Sequence, residues 1–265
     1  MLKALILDWA GTAVDFGSRA PMGAFVEAFS RVGVTISIKE ARGPMGLPKR
    51  DHVASLMREP AISARWVAAH GAAPTEADID HVLAIFEPLN VEVIPQHADL
   101  IPGLLDVVTE ARRRGMKIGS TTGYTRPIME RLMPLAASAG YAPDNVVCAG
   151  DLAAGRPTPL MMYRTFADIG AWPPEACVKL DDTEPGIAEG LAAGTWTVGL
   201  ALSGNAAGYS RTELDALSPA ELADVRARAN DKLFRAGAHY VIDTVADLLP
   251  VLDAIEARLA AGAKP

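Results

Sequence analysis

Short runs of consecutive apolar residues alternate with segments of helical periodicity along most of this chain. The first run, Ala4 to Leu7, ends directly in Asp8, and uninterrupted apolar residues are typical of a strand buried on both faces. From residue 103 onward, helix and strand signals follow one another to the end, with strands predicted at 116–120, 145–148, 176–180, 195–202 and 239–242. This alternation predicts an α/β fold built on a doubly wound, Rossmann-like parallel sheet.

One long segment lacks strand signals. Between Pro21 and about Val93 apolar residues recur at helical spacing, and Thr75 with Asp78 resembles a helix-capping box. The pattern predicts a small all-helical cap domain over residues 17–96, inserted after the first strand of a core formed by residues 1–16 and 97–265. The first cap helix carries a continuous apolar face, Met22, Phe25 and Phe29, which either packs inside the cap or forms a subunit interface.

Composition excludes several classes of partner. The 265 residues carry a net charge of −7 and a sequence pI near 5.3, which argues against general nucleic-acid binding. No run approaches the roughly 20 apolar residues that span a bilayer, so no membrane association is expected. Cys148 and Cys177 have no metal-binding spacing, and a reducing, cytoplasmic location is therefore expected. An anionic small-molecule substrate would need a local positive site.

Polar clusters follow the predicted strands: Asp8, Ser120 to Gly123, Arg156, and Asp181 with Asp182. Asp8 alone could equally cap the turn after its strand. Loops at the carboxyl edge of one parallel sheet converge, however, so these side chains are expected to meet. A carboxylate nucleophile, a hydroxyl, a cation and a second carboxylate suit phosphoryl transfer. Mg²⁺ bridging Asp8 and Asp182 would be the natural cofactor.

These clusters form four motifs in a fixed order: DWAGT at 8–12, Ser120-Thr121-Thr122, Arg156, and Asp181-Asp182. The series resembles the haloacid dehalogenase superfamily of aspartyl-phosphate enzymes over nearly the whole chain. Ala10 departs from the pattern of its phosphatases, which usually carry there an aspartate that protonates the leaving oxygen. Such proton transfer contributes typically ~10²–10⁴-fold, so rapid ester hydrolysis is not expected and the leaving group must be activated differently.

The cap segment RGPMGLPKRDHV, residues 42–53, offers such activation. Pro48 suits position N1 of a helix, which would place Lys49 in the first turn. The helix dipole and neighbouring Arg50 both favour a neutral amine there, and a neutral lysine can form a Schiff base with an aldehyde. His52 lies three residues further on the same helix face and could relay protons.

The string MGLPKRDH, together with Ala10, resembles the phosphonatase family within that superfamily. Further matching segments are GSTTGYTR at 119–126, AGRPTP at 154–159 and EGLAAGTWTVG at 189–199. The resemblance implies cleavage of the C–P bond of phosphonoacetaldehyde to acetaldehyde and phosphate, in 2-aminoethylphosphonate degradation. It also implies a homodimer formed through the cap.

The family pattern assigns roles to individual residues. It implies catalysis by Asp8, Lys49, His52 and Met45, substrate or phosphate binding by Thr122, Arg156, Gly46 and Tyr124, and Mg²⁺ held by Asp8, the backbone carbonyl of Ala10, and Asp182. Thr121 could replace Thr122 as the hydroxyl donor, and Tyr124 could simply pack.

Two positions near the last motif depart from the pattern. Asp181 stands where the family often has glycine, and could lie behind the metal ligands. Gly186 stands where many relatives carry another acid. Competing interpretations are a metal-independent dehalogenase, a sugar-phosphate phosphatase or mutase, and an inactive module that binds phosphorylated metabolites. The Lys49–His52 string and the paired aspartates count against the first, Ala10 against the second, and the intact motifs against the third.

Overall fold

The computed structural model of the protein describes residues 1–265. Its strands are β1 (Ala4–Leu7), β2 (Lys117–Thr125), β3 (Val147–Ala149), β4 (Cys177–Asp181), β5 (Trp196–Leu200) and β6 (Tyr240–Ile242). They form one parallel sheet in the order β3-β2-β1-β4-β5-β6. The predicted fold class is confirmed.

Helices cover both faces of this sheet. The chain contains α1 (Ala20–Arg31), α2 (Ile38–Arg42), α3 (Lys49–Arg58), α4 (Pro60–His70), α5 (Glu76–Val93), α6 (Leu104–Arg113), α7 (Arg126–Ser138), α8 (Leu160–Ile169), α9 (Glu184–Ala192), α10 (Arg211–Asp215), α11 (Pro219–Arg235) and α12 (Leu248–Ala260). No helix combines the length and apolar character required to cross a membrane.

The apolar run of β1 is buried on both sides, as its composition predicts. Leu5 and Leu7 belong to a cluster with α6, α7 and α12, whereas Ala4 and Ile6 pack with α8 on the opposite face. The order of the strands reverses at β1, because β2 and β3 lie on one side of it and β4 to β6 on the other. The carboxyl end of β1 is therefore the topological switch point, where open α/β sheets place their ligands.

Strand β2 extends further than its sequence indicates. The prediction ended at Ser120, but the strand continues through the polar segment to Thr125 and pairs with β3. The register shifts between Thr122 and Thr125, so this end of the strand is irregular. The end of β2 that pairs with β3 carries buried hydroxyl side chains. Its polar sequence therefore gave no signal of a buried strand.

Helices α1 to α5 lie between β1 and β2 and contain their own hydrophobic cluster. Phe25 stacks on Phe86 with ring centroids 4.0 Å apart, and Met22 and Phe29 are buried in the same cluster. The apolar face of α1 therefore forms part of the interior of this helical unit, which leaves it unavailable as a subunit interface. Thr75 makes the predicted capping box with Asp78 at the start of α5.

Candidate active site

Asp8 follows the last residue of β1 and is held between the neighbouring strands. Its backbone N–H donates to the carbonyl of Leu180, and its Oδ1 accepts from Nη2 of Arg156 at 2.8 Å. Burial and the nearby Asp181 carboxylate raise the pKa of Asp8 to about 6, although Arg156 and Lys179 act in the opposite direction. At neutral pH most of this carboxyl is therefore ionised and available as a nucleophile.

Asp182 begins the loop after β4 and faces Asp8. One ligand oxygen from each of Asp8, Asp181 and Asp182 lies within 4.8 Å of the others. Oδ2 of Asp182 accepts from the backbone N–H of Asn205 at 2.6 Å, while its buried Oδ1 has no hydrogen-bond partner. Burial, followed by the repulsion of the other two carboxylates, raises the pKa of Asp182 well above its usual value.

The charges of this buried cluster do not balance. Four carboxyl groups, Asp8, Asp181, Asp182 and Glu189, face two cations, Arg156 and Lys179. The surplus of carboxyl groups over the cations bonded to them, the free oxygen on Asp182 and the all-oxygen donor set together fit a divalent hard cation. The residues present are thus able to hold a metal ion at the switch point.

A second layer of polar residues lies behind Asp8, and the sequence analysis missed it. Lys179 is fully buried in β4 and donates to Oγ1 of Thr121 at 2.8 Å. Glu189 of α9 accepts from Thr121 at 2.7 Å and from Nε of Arg156 at 3.1 Å. A lysine within the apolar strand CVKLD was the available signal, because buried lysines require partners. This layer fixes the guanidinium that contacts Asp8.

Lys49 opens helix α3 and reaches the same small cavity as Asp8. The cavity measures about 20 Å³, room for little more than one water, and its walls include Asp8, Ala10, Met45, Gly46, Lys49, Thr122, Tyr124 and Arg156. Lys49 is buried, with Nζ 5.3 Å from the ring centroid of Tyr124 and 5.7 Å from that of Phe25. The structure thus unites residues from the cap and the sheet around one space.

The pKa of Lys49 is lowered for a different reason from the one that the sequence suggested. Burial is the largest cause that lowers the pKa of Lys49, to about 8, and Arg156 adds repulsion while Asp8 opposes the shift. Arg50 does not contribute, because its guanidinium turns outward to ion pairs with Glu76 and Asp80. Pro48 is the N-cap rather than N1, so the helix begins at Lys49 itself.

Chemical modification should detect this lowered pKa. A pKa near 8 leaves roughly one tenth of the amine neutral at pH 7, against less than about one thousandth for an ordinary lysine. The rate of reductive alkylation of Lys49 by acetaldehyde and cyanoborohydride is therefore expected to rise from pH 6 to 8 and then level off. Peptide mass spectrometry would measure it, with exposed Lys39 in the same sample for comparison. A rate that still climbs steeply at pH 10 would contradict the shift.

His52 is buried beneath Lys49 with a defined tautomer. Its ring stacks on Phe25 with centroids 4.0 Å apart, and Nε2 lies 2.8 Å from the carbonyl oxygen of Ala41. A carbonyl can only accept, so Nε2 carries the proton and Nδ1 is left as a buried acceptor without a partner. Burial, followed by the charge of Lys49, lowers the pKa of His52 well below its usual value.

The remaining predicted binding residues also meet at the cavity. Thr122 lines it, whereas the hydroxyl of Thr121 is turned to Lys179 and Glu189, so the geometry favours Thr122 of the two. Gly46 has φ +93°, and a Cβ there would collide with Thr183. Glycine therefore allows the cap backbone to approach the loop after β4. Thr183 and Ser18 line the cavity as well and were not predicted.

Arg42 links the cap to the carboxylate cluster and was also missed. Its Nη1 donates to the carbonyl of Gly17 at 2.8 Å and to Oδ1 of Asn205 at 3.1 Å. Asn205 in turn donates its backbone N–H to Asp182. The guanidinium is thus one residue removed from a candidate metal ligand, although nothing in the local sequence distinguishes it from a surface arginine.

Comparison with known proteins agrees with this geometry. The model of a hydrolase family, haloacid dehalogenase-like hydrolase, matches residues 2–194. The chain therefore belongs to the haloacid dehalogenase-like hydrolases. It is 53% identical to a phosphonoacetaldehyde hydrolase of Paraburkholderia phytofirmans, over 100% of this chain and 99% of the relative. A phosphonoacetaldehyde hydrolase of Aeromonas hydrophila is 51% identical, over 100% and 95% of the two chains.

Solved structures give the same picture. The crystal structure of a phosphonoacetaldehyde hydrolase-like protein from Oleispira antarctica matches with a TM-score of 0.98 and 42% identity, over 100% of this chain and 96% of that one. A β-phosphoglucomutase from Clostridium difficile matches with a TM-score of 0.69 at 16% identity, which shows a shared fold alone. The resemblance to the phosphonatases that the sequence indicated is confirmed.

Proposed function

We propose that the protein hydrolyses the C–P bond of phosphonoacetaldehyde through a Schiff base on Lys49 and an aspartyl phosphate on Asp8. One observation carries the proposal: a buried lysine with a pKa near 8 shares its cavity with the candidate nucleophile, while Ala10 supplies no acid. The names of the full-length relatives support the choice of substrate. A dehalogenase would use neither the amine nor the surplus of buried carboxylates.

The amine of Lys49 begins the reaction by adding to the aldehyde carbon. Nδ1 of His52, the free acceptor, takes a proton from the nitrogen of the addition product and returns it to the former aldehyde oxygen. That oxygen gains a second proton from solvent and leaves as water, so that a protonated imine remains. The imine draws the electron pair of the C–P bond onto nitrogen, so carbon leaves as an enamine and needs no general acid of the ester-cleaving kind. This accounts for alanine at position 10.

Asp8 accepts the phosphoryl group. Its carboxylate attacks phosphorus as the C–P bond breaks, with Arg156 and Thr122 binding the phosphonate oxygens. One water then hydrolyses the aspartyl phosphate, and a second water hydrolyses the imine after the enamine gains a proton at carbon. Since imine formation released one water, the sum is one water consumed, one acetaldehyde and one phosphate formed.

Mg²⁺ is the proposed cofactor, held by carboxylate oxygens of Asp8 and Asp182 and by the backbone carbonyl of Ala10. When bound it would screen the charge between Asp8 and the phosphonate and hold both in line. The cluster of three buried carboxyl groups and the free Oδ1 of Asp182 support this assignment.

The cap is proposed to move during turnover, with its boundaries at residues 17–96. A cavity of about 20 Å³ is too small to admit the substrate unless Lys49 and Gly46 withdraw from the sheet edge. Exclusion of water in the closed state would protect the imine and the acyl phosphate. Met45 and Tyr124 are proposed to close the cavity around the aldehyde.

The function is tested by assaying acetaldehyde release. Phosphonoacetaldehyde with Mg²⁺ is expected to yield acetaldehyde and phosphate in equal amounts, with loss of activity after EDTA treatment and recovery on adding Mg²⁺. A phosphate ester of an aliphatic alcohol, such as glycerol 2-phosphate, is expected to react at least about 10²-fold more slowly, because no side chain at position 10 protonates its leaving oxygen. Equal rates on the two substrates would contradict the mechanism.

A homodimer formed through the cap and a cytoplasmic location stay predictions. The α1 face that suggested the dimer is buried within the cap, so another cap surface would have to form it. Ile38 and Val67 are exposed apolar residues of the cap that such a surface would use. Light scattering of the purified chain, with Val67→Glu for comparison, would measure the subunit count.

A further inference from the structure

Asp181 and Gly186 occupy one space between them. Gly186 is the third residue of α9, directly above the carboxyl group of Asp181. A Cβ at position 186 would fall inside the van der Waals envelope of Cγ and both oxygens of Asp181. The backbone φ of Gly186 lies outside the left-handed region, so the absence of a side chain is explained by this neighbour and by no conformational requirement.

The Asp181 carboxylate that fills this space is held by hydrogen bonds at Oδ1 and by ion pairs at Oδ2, which has no hydrogen-bond partner. Oδ1 accepts from the backbone N–H of Thr183 at 3.0 Å and from its hydroxyl at 2.7 Å. Oδ2 forms ion pairs with Nη2 of Arg156 and with Nζ of Lys179, each at 3.1 Å. The carboxylate cannot swing away from Gly186 without breaking buried ion pairs, and breaking such pairs is strongly unfavourable.

Nη2 of Arg156 is the shared atom in this arrangement. It contacts Oδ1 of Asp8 on one side and Oδ2 of Asp181 on the other, while Nε is held by Glu189. Nη2 also donates to the backbone carbonyl of Thr121 at 2.8 Å. Displacing Asp181 would leave the guanidinium held from behind by Thr121 and Glu189 alone and would loosen its alignment with the nucleophile. It would also change the charge beside Asp182.

We propose that Asp181 is a positioning residue that aligns Arg156 with Asp8, and that Gly186 is required because the buried carboxylate beside the metal site can be supplied from position 181 or from position 186 but not from both. A Cβ at 186 would overlap Cγ and both oxygens of Asp181, so an aspartate there would place its carboxyl group in the same space. The inference rests on the proposed function for its kinetic test alone.

Four variants test the coupling: Gly186→Ala, Asp181→Asn, Gly186→Asp, and the exchange Asp181→Gly with Gly186→Asp. Gly23→Ala is the matched control, because Gly23 is also helical and a Cβ there meets nothing within 4 Å. Gly186→Ala and Gly186→Asp are each expected to lower kcat by about 10²-fold, the usual effect of misplacing a reacting group by an ångström. KM should rise too, because Arg156 also binds the phosphonate oxygens, but by less than kcat falls, since the aldehyde site on Lys49 is untouched.

The exchange variant decides the matter. It is expected to recover kcat to within about tenfold of the wild type, well above the kcat of either single variant at position 186. Such non-additivity is expected for two residues that share one space. Calorimetric titration with Mg²⁺ alone should follow the same order, with weak binding in the Gly186 variants and in Asp181→Asn, and recovery in the exchange. Circular dichroism checks that each variant folds. If Gly186→Ala does not fold, Asp181→Asn still tests the proposal, because asparagine keeps the shape of the side chain and removes its charge.

Two outcomes would overturn the proposal: Gly186→Ala behaving like Gly23→Ala in Mg²⁺ affinity and kcat, or a folded exchange variant no better than Gly186→Asp. The Mg²⁺ titration separates this inference from the proposed function. Should the wild type release no acetaldehyde while Mg²⁺ affinity is lost in the single variants and restored in the exchange, the coupling stands and only the substrate assignment fails.

Discussion

Replacing Lys49 with arginine is expected to abolish acetaldehyde release, with a loss of at least about 10⁴-fold in kcat, as is typical when a covalent catalytic group is removed. Arginine keeps a positive charge near the cavity but has no nucleophilic amine, so the C–P bond loses its electron sink. Borohydride added with phosphonoacetaldehyde should reduce an adduct onto Lys49 of the wild type, detectable on the peptide that contains it. The same treatment should leave the Lys49→Arg protein unlabelled.

Lys39→Arg is the matched control for this change. Lys39 is exposed on α2 of the same cap, so its replacement is expected to leave both turnover and labelling unchanged. An unlabelled Lys49 in a wild-type protein that still turns over would refute the Schiff base. Activity retained in Lys49→Arg would refute it equally.

The fold was predictable because a strand that is buried on both faces has an uninterrupted run of apolar residues. Ala4 to Leu7 is apolar without interruption, since alternate residues pack against helices on opposite sides of the sheet. In a parallel sheet the carboxyl ends of all strands share one edge, and Asp8, Thr122 and Asp182 converge there because β1 lies between β2 and β4. What could not be predicted was the polar end of β2, whose buried threonines have no apolar pattern.

The candidate site was predictable only where a residue stands beside a strand end or in a motif. Lys179 and Glu189 reach the site from the interior of a strand and of a helix, and their partners are far apart in sequence. The cause of the Lys49 shift was equally hidden: the sequence suggested Arg50, but burial and Arg156, 107 residues away, lower the pKa. Contacts between distant residues set these properties, and a single sequence does not display them.

The two halves of the proposed mechanism should be separable, because Lys49 and Asp8 act on different atoms. Asp8→Asn is expected to lower phosphate release by at least about 10⁴-fold, since an amide cannot attack phosphorus. Imine formation needs only Lys49 and His52, so borohydride labelling of Lys49 by phosphonoacetaldehyde should persist. Asp8→Asn is thus expected to bind phosphonoacetaldehyde and to be labelled at Lys49 without cleaving the C–P bond. Lys49→Arg, in contrast, is expected to be neither labelled nor active.

Stability distinguishes lost chemistry from lost folding in Asp8→Asn. Burial raises the pKa of Asp8 to about 6, so its ionised form is disfavoured in the folded protein relative to the unfolded chain. A group with a raised pKa costs stability as pH rises from its unfolded value near 4 towards 6, and that cost persists at neutral pH. Without metal, the Tm of Asp8→Asn at pH 7 is therefore expected to equal or exceed that of the wild type. Asp106→Asn, on the exposed face of α6, supplies the control. A variant that melts well below both proteins, or that fails to label at Lys49, would show that Asp8 supports the structure of the site and would remove the evidence for its separate role as nucleophile.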